Sequence, residues 1–234
     1  MIKVGIFGDC HTARVWEHYT FDESKFILKM WGKGGVFVYG LNIDDKISND
    51  EISSGVEMPT KDYINEKIMN KEWEPKIKFT EIAESDLIMP WLGYVDIRQL
   101  LPKYKNPELI ARMLVDKFLT AFPNKKLRFI EPLPQFTEML LKYEGISESY
   151  EYKDRLEQNN KFIAELRKYC DEKNIMKPVS QDDIYRVCGV TEFIPSMTHN
   201  KAPHPVDGLQ DEYHEKIYNL FIEEIEKTLE FYSL

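Results

Sequence analysis

Three short segments combine thiol, imidazole, carboxylate and glycine residues: GDCHT at 8–12, GYVDIR at 93–98 and HPVDGLQ at 204–210. A thiol can act as a nucleophile, an imidazole can carry a proton, and a carboxylate can orient that imidazole. Glycine lets backbone N–H groups come close to a reacting oxygen. Open α/β sheets carry their sites just past the carboxyl ends of strands, and the surrounding sequence predicts such positions for all three segments.

The first segment follows an apolar run, Ile2 to Phe7, that predicts a buried strand. Gly8 and Asp9 then favour a turn, so Cys10 stands where a strand ends and a helix starts. Free N–H groups and the helix dipole stabilise an anion at such a junction, and a thiol there can be acidified. The alternative interpretation, a small buried cysteine in a capped turn, has about equal weight from this segment alone.

Strands and helices alternate along the rest of the chain. Further strands are predicted in KFILKMWG, in DLIMPWLG at 86–93 and in KKLRFIEPLP at 125–134. Helices are predicted over 106–122, where Asn106 is a cap and Pro107 lies in the first turn, over 154–174, and at the C-terminal end. DDIYRVCGV fits either a short strand or a helix. This alternation predicts an α/β fold with a parallel sheet covered by helices on both faces.

The C-terminal helix carries an apolar stripe that we expect to lie in the core. Its residues are Ile217, Leu220, Phe221, Ile225, Leu229 and Phe231.

Length and composition predict one globular domain over residues 1–234, since the chain is 43% hydrophobic and 30% charged. A net charge of −9 argues against a general nucleic-acid binder. The three cysteines, Cys10, Cys170 and Cys188, form neither a disulfide framework nor a CxxC metal site, which favours a reducing compartment. Because no secretory signal and no long apolar run is present, we expect a cytoplasmic protein with no membrane partner.

The order of the three segments resembles the SGNH (GDSL-like) hydrolase superfamily. The resemblance is greatest to a branch with Gly-Asp-Ser-His near the start and a Gly-Glu-Ile-Asp-Cys-Arg type segment in the middle; WGKGGVFVYGLN at 31–42 is also similar. It implies a three-layer flavodoxin-like fold and an ester hydrolase without a cofactor, acting on a small-molecule or glycan ester, with an O-acetyl ester as the default. Stretches at about 42–80 and 137–200 are not covered and are expected to be insertions.

The resemblance also implies roles for individual residues. Cys10 falls on the nucleophilic serine, the N–H groups of Cys10 and Gly93 fall on the oxyanion donors, and Asp207 falls on the acid that orients the base. Val95 stands where the broader superfamily has an oxyanion asparagine, and Gln210 stands where it has the histidine base. A neutral amide cannot accept the proton, so the usual base is absent, which is equally compatible with decay of the site.

Three histidines could supply the missing base. His204 lies three residues before Asp207, His214 follows Gln210 by one helical turn, and His11 adjoins the nucleophile. A thiol needs less help from a base than a hydroxyl does, so the change from serine to cysteine is compatible with activity. The alternatives are a loop-bracing role for His204 and a boundary position on the helix for His214.

The middle segment and the next strand end add three charged residues. Asp96 and Arg98 form either a local ion pair or an anion site for substrate, and arginine favours forked recognition of a carboxylate or phosphate. Glu131, before Pro132, is interpreted as a strand-end residue.

Three functions therefore remain open. The first is a cysteine-dependent esterase, and the second is a catalytically silent relative that binds a glycan or another protein. The third treats Asp9 and His11 as the opening of a metal-dependent phosphoesterase, for which the sequence offers too few further ligands. Oligomeric state does not follow from these patterns.

Overall fold

A computed structural model of the chain describes residues 1–8, 25–32, 38, 80–94, 96–97, 106–133, 152–191 and 211–233. Within these residues the elements, in chain order, are β1 (Ile2–Gly8), β2 (Phe26–Gly32), α1 (Thr80–Ala83), β3 (Leu87–Trp91), α2 (Pro107–Ala121), β4 (Lys126–Leu127), α3 (Tyr152–Glu172), α4 (Gln181–Cys188) and α5 (Asp211–Tyr232). The alternation of strands and helices confirms the predicted α/β class.

The described strands form a parallel sheet in the order β2-β1-β3-β4. The pairing with β3 continues beyond β4, because the Arg128 and Ile130 amides donate to the carbonyls of Ile88 and Pro90. A single parallel bridge then joins Ile130 to Val179, so Val179 lies where a fifth strand would pair at this edge. The order is that of flavodoxin-like sheets, in agreement with the predicted three-layer architecture.

Helix ends follow local sequence signals. The Asn106 side chain accepts from the Leu109 amide at 3.3 Å and caps α2, as its position before Pro107 predicts. The segment that fitted either a strand or a helix is the helix α4. Ser180 caps α4 by accepting from the Asp182 amide, and Gly189 ends it in a left-handed conformation with φ of 76°.

Two hydrophobic clusters separate the faces of the sheet. On one face, Phe7 and Ile88 pack with apolar residues of α2 and α3. On the other face, Ile6 and Met89 pack with apolar residues of α4 and α5. Both central strands are therefore buried on both sides, as a parallel sheet requires.

The C-terminal stripe is core with one exception. Ile217, Leu220, Phe221, Ile225 and Leu229 are buried, but Phe231 is 58% exposed. The prediction for Phe231 was wrong because it follows Leu229 by two positions, about 200° around a helix with 3.6 residues per turn. Its ring packs edge-on against Tyr232 instead.

Part of the stretch expected to be an insertion contributes to both helical layers. Phe162 and Leu166 of α3 are fully buried in the first cluster, and Ile184 of α4 is fully buried in the second. The division into one domain with insertions stays a prediction. Among the described helices, none combines the length and apolarity needed to cross a membrane.

A buried ion pair joins the β4 segment to α5. The Arg128 guanidinium donates to a Glu224 carboxylate oxygen at 2.5 Å, and it also bonds the Glu224 carbonyl and the Thr228 hydroxyl at 2.8 and 2.7 Å. Arg128 and Glu224 are 5% and 6% exposed. These charged hydrogen bonds hold the β4 edge of the sheet to α5, in addition to the apolar contacts.

Arg128→Met is expected to lower the free energy of unfolding by about 3–5 kcal/mol, because it leaves a buried carboxylate without its main partner. Urea denaturation followed by circular dichroism measures this loss. Lys161→Met, which breaks the exposed pair with Glu157, is the matched control and should cost much less. Equal losses in the two variants would contradict a special role for the buried pair.

Candidate active site

The ends of β1 and β3 define the candidate site. These strands are adjacent and parallel, with Gly8 paired to Trp91 at their carboxyl ends. The chain continues from β1 to β2 on one side, while β3 lies on the other, so the crevice typical of open α/β sheets falls between β1 and β3. Cys10 follows Gly8 by two residues in the sequence, and Gly93 follows Trp91 by two.

The backbone angle of Gly93 and the side chains around it both restrict which residue fits there. Its φ is 113°, a region that residues with a side chain rarely adopt. A Cβ there would lie 2.8 Å from Cζ of Phe162 and 3.3 Å from Cγ of Pro132. The Gly93 carbonyl accepts from the Ile97 amide at 2.9 Å, which closes a tight turn after β3. The backbone angle and the neighbouring side chains therefore both favour glycine at this position.

Most of the other predicted site residues lie outside the described residues. These are Asp9, Cys10, His11, Val95, Arg98, His204, Asp207 and Gln210. His214 lies in the first turn of α5, and its side chain is not described. The roles assigned to these residues stay predictions. The structure does bring together the ends of β1 and β3, near which the segments 8–12 and 93–98 begin.

Asp96 takes part in a clamp around one peptide unit. Its carboxylate accepts from the Val38 amide at 2.9 Å, while the Lys117 ammonium donates to the Val38 carbonyl at 2.6 Å. Asp96 and Val38 are fully buried and Lys117 is 3% exposed. Val38 belongs to the glycine-rich segment that follows β2, so the clamp ties this segment to the turn after β3 and to α2.

Burial controls the protonation of Lys117. Desolvation lowers the pKa of its ammonium to about 7, and the nearby Asp96 carboxylate opposes this shift only in part. An exposed lysine is fully charged at neutral pH, whereas burial leaves Lys117 only partly protonated there.

Glu131 is a second buried acid at the same edge of the sheet. Its carboxylate is fully buried and accepts from Nε and Nη2 of Arg167 at 2.5 and 2.9 Å, and from the Gln181 amide at 2.9 Å. The hydrogen bond to Glu131 is the main cause that raises the pKa of Arg167. Glu131 lies four residues beyond β4, directly after the bridge at Ile130, and it joins this segment to α3 and α4.

Sequence reasoning missed three buried polar residues near this edge: Lys117, Gln158 and Asn159. A signal for two of them exists in helical spacing. Lys117 follows Ile110 and Leu114 by seven and three residues, on the buried stripe of α2. Asn159 precedes Phe162 and Leu166 by three and seven, on the buried stripe of α3. A polar residue in an apolar stripe marks either a buried partner or a site.

Metal and thiol chemistry are limited within the described residues. No three His, Cys, Asp or Glu side chains in the described ranges are grouped so that they could hold a metal ion. Cys170 and Cys188 are buried and form no disulfide, and burial raises the pKa of Cys170 to about 12. Cys170 is therefore protonated and unreactive at neutral pH.

Gly93→Ala is expected to lower the free energy of unfolding by about 2–4 kcal/mol, because it adds both backbone strain and a clash with Phe162. Gly189→Ala is the matched control. Gly189 also has a positive φ, but a Cβ there meets nothing within 4 Å, so only the strain of about 1 kcal/mol applies. Thermal and urea unfolding compare the two; equal losses would show that the contact with Phe162 is irrelevant.

Raising the pH from 7 to 9 is expected to stabilise the protein through Lys117 by about 2 kcal/mol. The folded-state pKa lies below the unfolded-state value, so the unfolded chain holds more protons between pH 7 and 10 and stability rises with pH. The measurement is urea unfolding of wild type and Lys117→Met at both pH values. Cys170 has a raised pKa and acts in the opposite direction in both proteins, so subtracting one pH dependence from the other removes its contribution.

Lys177→Met, at an exposed lysine, is the control for this measurement and should retain the wild-type pH dependence. If Lys117→Met also retains it, the lowered pKa is wrong.

Comparison with known proteins supports the fold. No model of a known protein family matches the sequence, and no curated protein matches it. A solved structure of a candidate acylhydrolase from Bacteroides fragilis aligns with a TM-score of 0.55 and 16% identity over 97% of this chain and 88% of that chain. A carbohydrate acetylesterase from Sinorhizobium meliloti aligns with a TM-score of 0.53 and 15% identity over 97% and 99%. A protein from Lactobacillus plantarum aligns with a TM-score of 0.54 and 13% identity over 97% of both chains.

These identities are low, so the likeness concerns the fold. The parallel sheet, its strand order and these neighbours together show that the chain has a flavodoxin-like α/β fold, which it shares with these solved structures.

Proposed function

We propose that the protein is an SGNH-like esterase that removes an O-acetyl group from an acylated carbohydrate, with Cys10 as its nucleophile. The backbone N–H groups of Cys10 and Gly93 stabilise the oxyanion, and Asp207 orients His204 or His214 as the base. Asp9 and His11 flank the nucleophile, and Arg98 adds a positive charge to the segment after β3.

The chemistry would follow two balanced steps. The Cys10 thiolate attacks the ester carbonyl carbon, a C–S bond forms, and the oxyanion then collapses with loss of the sugar alkoxide, which takes the proton held by the histidine. In the second step the neutral histidine takes a proton from water, the hydroxide attacks the thioester, and acetic acid leaves. The sulfur leaves as the thiolate beside the imidazolium, which restores the starting state of the enzyme.

The observation that carries this proposal is the geometry after β1 and β3. Gly8 and Trp91 are register partners, and the left-handed Gly93 turn begins two residues beyond that pair. An oxyanion site built from backbone N–H groups needs such a side-chain-free turn beside the nucleophile. The fold of two structural neighbours, one a carbohydrate acetylesterase and one a candidate acylhydrolase, supports the same assignment.

The second candidate function is a glycan-binding or protein-binding relative without catalysis. Gln210 and Val95 favour it, because they replace the base and an oxyanion donor in the pattern that the segments resemble. This alternative keeps the fold and the anion-friendly turn but predicts an ordinary thiol at Cys10.

Cys10→Ala is expected to abolish hydrolysis of p-nitrophenyl acetate and of acetylated methyl glycosides, because the acyl group then has no acceptor. Rates of product release measure this loss, at least about 1,000-fold for removal of a covalent nucleophile. Cys188→Ala is the matched control, since it removes another thiol that is buried in the core. Unchanged turnover in Cys10→Ala would remove Cys10 from the mechanism.

Alkylation with iodoacetamide distinguishes the esterase from the binding protein. In the esterase, one thiol per chain reacts quickly with an apparent pKa below about 8.5, the ordinary cysteine value. Cys170 does not contribute, because burial raises its pKa. A slow reaction with an ordinary pKa, together with no ester turnover, would favour the binding protein.

A further inference from the structure

Two adjacent amide side chains on α3 carry buried oxygen atoms that no hydrogen bond satisfies. Oε1 of Gln158 and Oδ1 of Asn159 have no partner within the part of the chain that the structure describes. Gln158 is 7% exposed and Asn159 is fully buried. Leaving a buried acceptor unpaired costs about 1–3 kcal/mol, so two neighbouring cases call for a donor at this place.

Their position in the fold is set by the direction of α3. Phe162 lies against Gly93 and Pro132, just beyond the ends of β3 and the β4 segment. Near the other end of α3, Cys170 interacts with Tyr232, whose hydroxyl donates to the carbonyl of Leu127 in β4. The helix therefore runs from the carboxyl edge of the sheet to the amino edge. Gln158 and Asn159 precede Phe162 by one turn, which places them past the strand ends, on the side of the proposed active site.

Neighbouring contacts orient the Asn159 amide. Its Nδ2 donates to Oε1 of Gln181 at 3.2 Å, and the Tyr185 hydroxyl donates to the same oxygen at 3.3 Å. The Gln181 backbone amide is in turn bound to Glu131. Since Nδ2 is used in this network, Oδ1 of Asn159 is left to accept a hydrogen bond from another group.

The charge of the surroundings restricts the ligand. Glu131, the buried acid that binds the Gln181 amide, is paired with Arg167 through two hydrogen bonds, so it presents no free charge to a cation. The two unpaired atoms are neutral acceptors on consecutive residues. Neutral acceptors in a buried setting match uncharged donors, and the hydroxyl groups of a sugar are donors of this kind.

We propose that Gln158 and Asn159 form a specificity subsite that accepts hydrogen bonds from hydroxyl groups of the sugar, next to the proposed acyl-binding turn at Gly93. The inference rests on the proposed function, because it assigns the alcohol side of the ester to this part of the protein. The residues act on substrate recognition and not on the bond-breaking steps.

Binding of unacetylated methyl glycosides in a Cys10→Ala background tests the subsite without any need for turnover. The probes are methyl glucoside, galactoside, mannoside and xyloside, and isothermal titration or ligand-observed NMR gives Kd. At least one glycoside is expected to bind, and Gln158→Met, which keeps the side-chain length but removes the acceptor, should raise its Kd about 10-fold. Gln158→Glu keeps an acceptor oxygen and should recover part of the affinity.

Asn160→Met is the matched control, because Asn160 is exposed on the same helix, and it should bind like the parent. Circular dichroism of each variant separates a loss of binding from a loss of folding. The proposal is overturned if no glycoside binds to the parent or if Gln158→Met and Asn159→Leu both bind as the parent does.

The same variants separate this inference from the proposed catalysis. With Cys10 restored, Gln158→Met should raise KM for acetylated glycosides while the hydrolysis of p-nitrophenyl acetate, which lacks hydroxyl groups, stays unchanged. Glycoside binding without any ester turnover would remove the proposed esterase and keep the subsite. Turnover of both substrates with equal loss in Gln158→Met would remove the subsite and keep the esterase.

Discussion

The parallel pairing of β1 with β3 is the interaction on which the rest of the structure depends. It sets Gly8 beside Trp91, so two chain segments leave the sheet together at one edge. Parallel strands expose neither face to water, and the pairing persists because one cluster with α2 and α3 and another with α4 and α5 cover both sides. Hydrophobic burial thus supplies the driving force, while the register of one strand pair decides which residues meet.

Buried polar groups add specificity at the points where elements are joined. Asp96 and Lys117 hold both sides of the Val38 peptide, Arg167 and Gln181 hold Glu131, and Arg128 holds Glu224. Burying each of these charged groups costs desolvation free energy, and charged or directional hydrogen bonds to groups on another element offset that cost. Apolar packing alone tolerates small shifts between layers, whereas these contacts do not. Two of the three lie at the carboxyl edge, where a site needs fixed backbone positions.

Sequence patterns predicted the elements well where the physical signal is local. The strands at 2–7 and 86–93, the Asn106 cap and the C-terminal helix follow from apolar periodicity and capping chemistry, which act within one turn or one strand. Gly93 was singled out through the resemblance of its segment to a known family; its positive φ shows a turn after β3, while its role as an oxyanion donor stays a prediction. The predicted stripe was wrong for Phe231, whose angular position on the helix turns it away from the buried face. The patterns treated Glu131 only as a strand end, because the partners of a buried acid lie on other elements.

The sequence by itself determined the α/β class and the glycine that follows β3. The resemblance of its thiol-bearing and acidic segments to those of SGNH-like hydrolases stays a prediction. Periodicity and turn chemistry are properties of neighbouring residues, so they can be read along the chain. Tertiary structure alone decided that Gly93 meets Phe162, that Lys117 is buried against Val38, and that Gln158 and Asn159 lie past the strand ends. These contacts join residues tens of positions apart, and only the packing of α2 and α3 on the sheet brings them together.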